Sequence, residues 1–302
     1  MLDIIKPKVV KILKPTKTSI DKLKITVLVE DSANLKNSNL IAKHGLSLLV
    51  ETKLAGVDSK FLMDAGPGPD IAIRNADLIN KDLKNIDSIM LSHGHYDHTG
   101  ALLQFLRHIG HPTPILAHPN VFNPKFAYKP ALRPIGIEFD QSAIKAAGGE
   151  LLLTRDSITL LNGVISSGEI LRKTYFENTQ GFWTVECNRF IEDIVSDDQA
   201  LSINVKDKGL VILTGCAHSG IINTVRHVKR ITGIEKVYAI VGGFHLEQAN
   251  DERIQKTIKE FTEIGLNMIY PCHCTGKKAI SQFAKSFGDF CIPLNTGNSI
   301  EF

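Results

Sequence analysis

Six consecutive positions constrain this chain more than any other stretch: His93-Gly94-His95-Tyr96-Asp97-His98. From the chain's own residue frequencies, a His-x-His-x-Asp-His run arises by chance in roughly one sequence of this length in a thousand. Residues 86–91 before it read as a strand. After it, Ala101, Leu102, Phe105, Leu106 and Ile109 recur at helical spacing, so the run sits at a strand-to-helix turn. Residues i and i+2 of an extended segment project to the same side, which lets His93 and His95 grip one ion. Asp97 and His98 stand where the chain turns and can face a second ion close by. Gly94 allows the tight turn. Imidazole with carboxylate suits zinc, manganese, iron or cobalt, and a set short of thiolate stays open to substrate.

One loop cannot close two such sites, so further ligands are expected at other strand ends. Residues 25–30 form a short β-branched run that reads as a buried strand, and 46–52 with 60–63 read as a hairpin. The second hairpin strand ends at Asp64, where Gly66, Pro67 and Gly68 force a loop. The later half repeats one theme. Strands at 210–213, 236–241 and 268–270 end in Thr214-Gly215-Cys216-Ala217-His218, Gly242-Gly243-Phe244-His245 and Pro271-Cys272-His273-Cys274. Helices are expected at 71–79, 221–231 and 253–264. The stretch from about 119 to 141, with Pro124, Pro130 and Pro134, reads as irregular. Six of the eleven His and two Asp thus fall at strand ends that can share one rim of a sheet. His44, His108, His111, His118 and His227 show no such pattern. Cys272 and Cys274 flank His273 and, by alternation, point away from its face as packed thiols. Cys216 shares parity with His218 and is a buried thiol or a ligand.

Strands alternating with helices after early hairpins indicate a layered α/β domain. No Gly/Ser-rich or Pro-rich linker divides residues 24–302, which read as one domain. Residues 1–23 read as a basic extension, since seven of the first 24 residues are Lys. With 43% apolar and 22% charged residues, the chain can bury a core. A net charge of +3 argues against a nucleic-acid partner. The apolar runs near the start are too short for a signal-peptide core or a membrane span. Five Cys without framework spacing suit a reducing compartment, so the cytoplasm is the expected location. Oligomeric state is left open.

The run Ser92-His93-Gly94-His95-Tyr96-Asp97-His98-Thr99-Gly100 resembles the dinuclear metal loop of the metallo-β-lactamase superfamily. Asp64 resembles that family's preceding strand-end aspartate, and His273 its last metal histidine. The resemblance implies an αββα four-layer sandwich. It also implies one or two divalent ions (zinc, manganese, iron or magnesium) held by His93, His95, Asp97, His98, His218 and His273. The later motifs, with Asp197-Asp198-Gln199-Ala200-Leu201, are similar to the branch named for 7,8-dihydropterin-6-methyl-4-(β-D-ribofuranosyl)aminobenzene-5′-phosphate synthase. That branch serves methanopterin biosynthesis, joining a dihydropterin-methyl diphosphate to a ribosylaminobenzene phosphate with release of diphosphate. Two departures stand out. Gly215-Cys216 replaces the usual Gly-Asp, and Asp197 and Asp198 stand where a further His is usual.

The partner expected is a small phosphorylated molecule. Helix starts at Ser219-Gly220 and at Thr275-Gly276-Lys277-Lys278 offer amide groups and a positive dipole end to phosphate. Lys277, Lys278, Arg133 and Arg172 are candidate phosphate contacts. Asp97 and His245 are candidates for catalysis, and Asp64 and Cys216 support the metal site or join it. The competing reading is a metallo-hydrolase that delivers a metal-activated hydroxide to a phosphoester or acyl centre.

Overall fold

In the computed structural model, residues 18–34 and 39–302 are described. Residues 1–17, which hold most of the expected basic extension, lie outside them. Alternating apolar positions build two sheets that stack face to face. The first has seven strands in the order Ser299–Glu301, Lys22–Val29, Ser47–Leu54, Val57–Met63, Ser88–Met90, Thr113–Ala117 and Gly149–Leu153. The second has six, in the order Met268–Pro271, Val237–Gly242, Gly209–Thr214, Ala200–Val205, Val164–Ser166 and Thr159–Leu161.

Period-2 alternation explains the layering. Leu48, Val50, Phe61 and Met63 join Leu201, Ile203, Val211 and Leu213 in the core between the sheets. Their neighbours Leu49 and Leu62 turn the other way, onto the helices Ile71–Leu78, Leu102–Ile109 and Gln141–Ala146. On the far side, Ile212 and Ile240 pack against Ile221–Thr232, Asp251–Ile264 and Lys277–Phe287. Both faces of each sheet are therefore covered, which is why the central strands read as near-continuous apolar runs. The architecture is the expected αββα sandwich. No helix among the described residues is long and apolar enough to cross a membrane.

Packing starts earlier than the strand at 25–30 suggests. The first strand begins at Lys22, and Ile20, fully buried, bridges to Val205 in the second sheet. The Pro-rich middle is also more ordered than its sequence implies. Lys125–Ala127 and Arg133–Pro134 pair with each other, and Lys125–Ala127 pairs with Phe182–Glu186, completing a four-stranded sheet with Arg189–Glu192. The hairpin between the last two strands turns through Cys187 and Asn188, both with positive φ (49° and 59°), as a two-residue turn of the mirror-image type requires. This small sheet carries Phe182 into contact with the site described next.

Candidate metal centre

The strands ending at Met63, Met90, Thr214, Gly242 and Pro271 all release their chains at one rim, where ligands of α/β sheets usually bind. There the geometry gathers Asp64, the 93–98 loop, Cys216, His218, His245 and His273. Ring centroids of His93 and His95 lie 4.8 and 4.9 Å from that of His218. Nε2 of His93 approaches Nδ1 of His95 to 2.9 Å. These three offer one group of ligand atoms within 4.8 Å of one another. Asp97, His98 and His273 offer a second. Cys216 joins one His from each group: it forms a set with His93 and His98, and its Sγ is 3.2 Å from His98 Nε2. The thiol therefore stands between the two groups, at the position vacated by the missing aspartate.

Whether these residues fit a metal is tested by their unmet polar atoms. His95 Nε2 and both ring nitrogens of His218 are buried without a hydrogen-bond partner. Buried polar atoms are ordinarily paired, and a divalent cation would satisfy such a set. Burial also pushes His93, His95 and His218 well below the usual imidazole range, keeping them neutral as ligands must be. The donor set fits the expected ion.

Outer contacts fix the ligand orientations. Asp64 is fully buried at a positive φ of 61°, accepting from Ser92 N at 2.6 Å and Ser92 Oγ at 2.7 Å. Its Oδ2 is also 2.7 Å from Nδ1 of His98, which leaves His98 Nε2 for the metal group. Asp64 thus supports the site through His98. Gly215 is required beside it, since a Cβ there would stand 2.0 Å from Ser92 Oγ. Asp31 Oδ1 holds His273 Nδ1 at 2.7 Å, and Glu30 accepts from the backbone N of His273 at 3.1 Å. Below the loop, Lys125, its side chain 2% exposed, pairs with Asp197 at 2.7 Å and Asp193 at 3.2 Å. Asp197 in turn accepts from Gly94 N at 2.8 Å, between His93 and His95.

None of Glu30, Asp31, His44 and Lys125 is among the site residues expected from the sequence. His44, set aside there, lines the cavity with Nδ1 3.0 Å from Asp31 Oδ2 and Nε2 3.4 Å from Asp97 Oδ2. Its one signal in the sequence was proximity to the rim loop that follows the first strand. Cys272 packs in the inter-sheet core, but Cys274 lines the cavity and groups with Cys216 and His273. Alternation fails at Cys274 because residues His273–Thr275 form a 3-10 turn.

The phosphate expectations need correction. Arg172 donates to backbone carbonyls, His218 O at 2.9 Å and Val195 O at 3.0 Å, and so braces the His218 loop. Lys278 pairs with Asp251 at 3.0 Å on the surface, and Lys277 is exposed outside the cavity lining. The helix start after Gly220 is filled by the chain's own Glu177, whose carboxylate accepts from Ile222 N and Asn223 N at 2.8 Å each. Asp198 accepts from Ser219 N and joins no ligand group. Arg133 does line the cavity, with His245, whose ring centroid is 4.2 Å from that of His218. The cavity measures about 580 Å³, and Phe182 borders it against the rings of His95 and His218.

A rim of imidazoles and carboxylates on an αββα sandwich defines a class, and comparison with known proteins agrees. The model of the metallo-beta-lactamase superfamily matches residues 41–171. The chain belongs to that superfamily of enzymes. It is 39% identical over 289 residues to the 7,8-dihydropterin-6-methyl-4-(beta-D-ribofuranosyl)-aminobenzene-5′-phosphate synthase of Methanocaldococcus jannaschii, covering 94% of this chain and 98% of that protein. An uncharacterised protein of the same organism is 31% identical over 261 residues, 86% of this chain and 94% of its own. Among solved structures, Tm1679, described as a metal-dependent hydrolase of the beta-lactamase superfamily, superposes with a TM-score of 0.77 at 28% identity, over 93% of this chain and 99% of that one. YhfI from Bacillus subtilis shares the fold at a TM-score of 0.56 and 13% identity, over 93% of this chain and all of that one.

Proposed function

We propose that the chain is a metal-dependent synthase that joins a dihydropterin-methyl diphosphate to a ribosylaminobenzene phosphate and releases diphosphate. The observation that carries this reading is the 39% identity to the Methanocaldococcus jannaschii synthase along nearly the whole of both chains. His93, His95 and His218 would hold one ion, and Asp97, His98 and His273 a second, with Cys216 shared between them. Zinc, manganese or iron suits this mixed donor set better than magnesium, which prefers oxygen. When bound, the metal neutralises charge on the diphosphate leaving group.

The protein's own residues supply the rest. In the reaction the aryl amine nitrogen bonds to the pterin methylene carbon, the carbon–oxygen bond to diphosphate breaks, and the amine gives up a proton. His245 lines the cavity, is only partly buried and belongs to no ligand group, so its imidazole is the candidate acceptor for that proton. Asp97, assigned to the second metal group, serves catalysis through that group. Phe182 offers an aromatic face beside the imidazoles where a pterin ring can stack. Partners of this kind are small and phosphorylated, and the reading keeps the enzyme in the cytoplasm. Incubation of purified, metal-loaded protein with both substrates, followed by mass spectrometry, tests it. The likeness to Tm1679 supports a second reading, a hydrolase, for which the same assay would yield hydrolysed donor with no condensed pterin.

A further inference from the structure

The cavity is lined by cations that stand outside the protein's ion pairs. Arg253, from the first turn of the helix Asp251–Ile264, lines it together with Arg133 of the small sheet and Lys129 from the connection that precedes it. Among the described residues none of the three is in an ion pair, whereas Arg155, Arg226 and Lys278 all pair with carboxylates. The setting of Arg253 is the most specific. Its Nη1 donates to Asn178 O at 2.9 Å, which fixes the guanidinium, while its Nε is buried without a partner. Glu177 acts on Arg253 by its charge but forms no ion pair with it, its carboxylate being committed to the amides of Ile222 and Asn223. Arg133 Nη1 closes the opposite loop onto Lys129 O, which holds both cations on one short turn. Of the two carboxylates that line the cavity, Asp97 belongs to the metal group and Glu247 is exposed.

A fixed guanidinium with an unmet donor, beside two further unpaired cations, is the chemistry that recognises a phosphate monoester. We propose that Arg253, with Lys129 and Arg133, forms a subsite for the terminal phosphate of the ribosyl acceptor, separate from the metal groups that take the donor's diphosphate. The proposal rests on the synthase reading for the identity of that acceptor. The phosphate would anchor the acceptor at a distance from the reacting nitrogen, so binding energy from this remote group positions the nucleophile.

The test uses metal-loaded protein and calorimetric titration with ribose 5-phosphate, ribose and inorganic diphosphate. Wild-type protein should bind ribose 5-phosphate at least tenfold more tightly than ribose. Arg253→Gln should abolish that preference and leave diphosphate affinity within twofold, and Arg253→Lys should restore part of it. Lys129→Gln, at an exposed position, should weaken ribose 5-phosphate severalfold and covers the case in which the Arg253 variants do not fold. In turnover, Arg253→Gln should raise KM for the phosphorylated acceptor and not for the donor. Equal affinity for ribose and ribose 5-phosphate in the wild type would overturn the subsite, as would a loss in Arg253→Gln confined to diphosphate. Tight, Arg253-dependent binding of ribose 5-phosphate without any condensed pterin in turnover would support the subsite and sink the synthase reading instead.

Discussion

Asp64 Oδ2 stands 2.7 Å from His98 Nδ1, and this contact fixes which nitrogen His98 presents to the metal groups. The carboxylate is fully buried and is tied by Ser92 on two sides, so it has no freedom to turn away. Asp64→Asn keeps the shape but can no longer accept at both oxygens. Partners of this kind govern metal affinity by about 10- to 100-fold. The variant should therefore lose metal to a chelator at correspondingly lower concentration, while its melting curve stays close to that of the wild type. Unchanged chelator resistance would remove Asp64 from the site.

His95→Ala should lower bound metal by one ion per chain. The residue forms a ligand group with His93 and His218, and its unpartnered Nε2 shows that the protein itself does not satisfy the ring. Elemental analysis of the purified variant reads this directly, and full stoichiometry with full activity would contradict the assignment.

Lys125 is buried between Asp193 and Asp197, and Asp197 holds the backbone of Gly94. Lys125→Met leaves two carboxylates without their cation. Breaking a buried pair in this way costs about 3–5 kcal/mol. Chemical denaturation should show a loss on that scale, and the Asp197→Asn, Lys125→Met double variant should recover part of it. A loss below about 1 kcal/mol in the single variant would mean that water, not Lys125, balances these carboxylates.

Glu177→Ala should cost about 1–3 kcal/mol, because two buried amides at the start of the helix Ile221–Thr232 lose their acceptor. If the helix start were the phosphate site its sequence suggested, the wild type and the variant would bind inorganic phosphate there alike. The structure predicts that only the variant exposes those amides, so any gain in phosphate affinity should appear in Glu177→Ala alone.

The metal loop was legible in the sequence because its ligands lie within six residues, and alternation alone assigns their sides. Asp64, His218 and His273 were legible because each ends a recognisable strand. The supporting shell was not. Asp31 and His273 meet across 242 positions, and nothing local marks Asp31 as different from a loop acid. Cys274 was misassigned because alternation presumes extended backbone, and the chain turns into a 3-10 segment at His273. Arg172 shows the limit of reasoning from charge. Its guanidinium serves carbonyl groups of its own loops, a role composition cannot distinguish from ligand binding. Arg253 is the converse, a residue that reads as part of an amphipathic helix until the fold turns it to the cavity. The small sheet escaped notice because its hairpin turns through Cys187-Asn188 without glycine, and its partner strands lie among prolines.

The most direct measurement is product analysis after incubation of metal-loaded protein with a dihydropterin-methyl diphosphate and a ribosylaminobenzene phosphate. The synthase reading predicts one condensed pterin for each diphosphate released, with both lost in His95→Ala. Release of diphosphate with only the hydroxymethyl pterin and untouched acceptor would contradict it and make the chain a hydrolase.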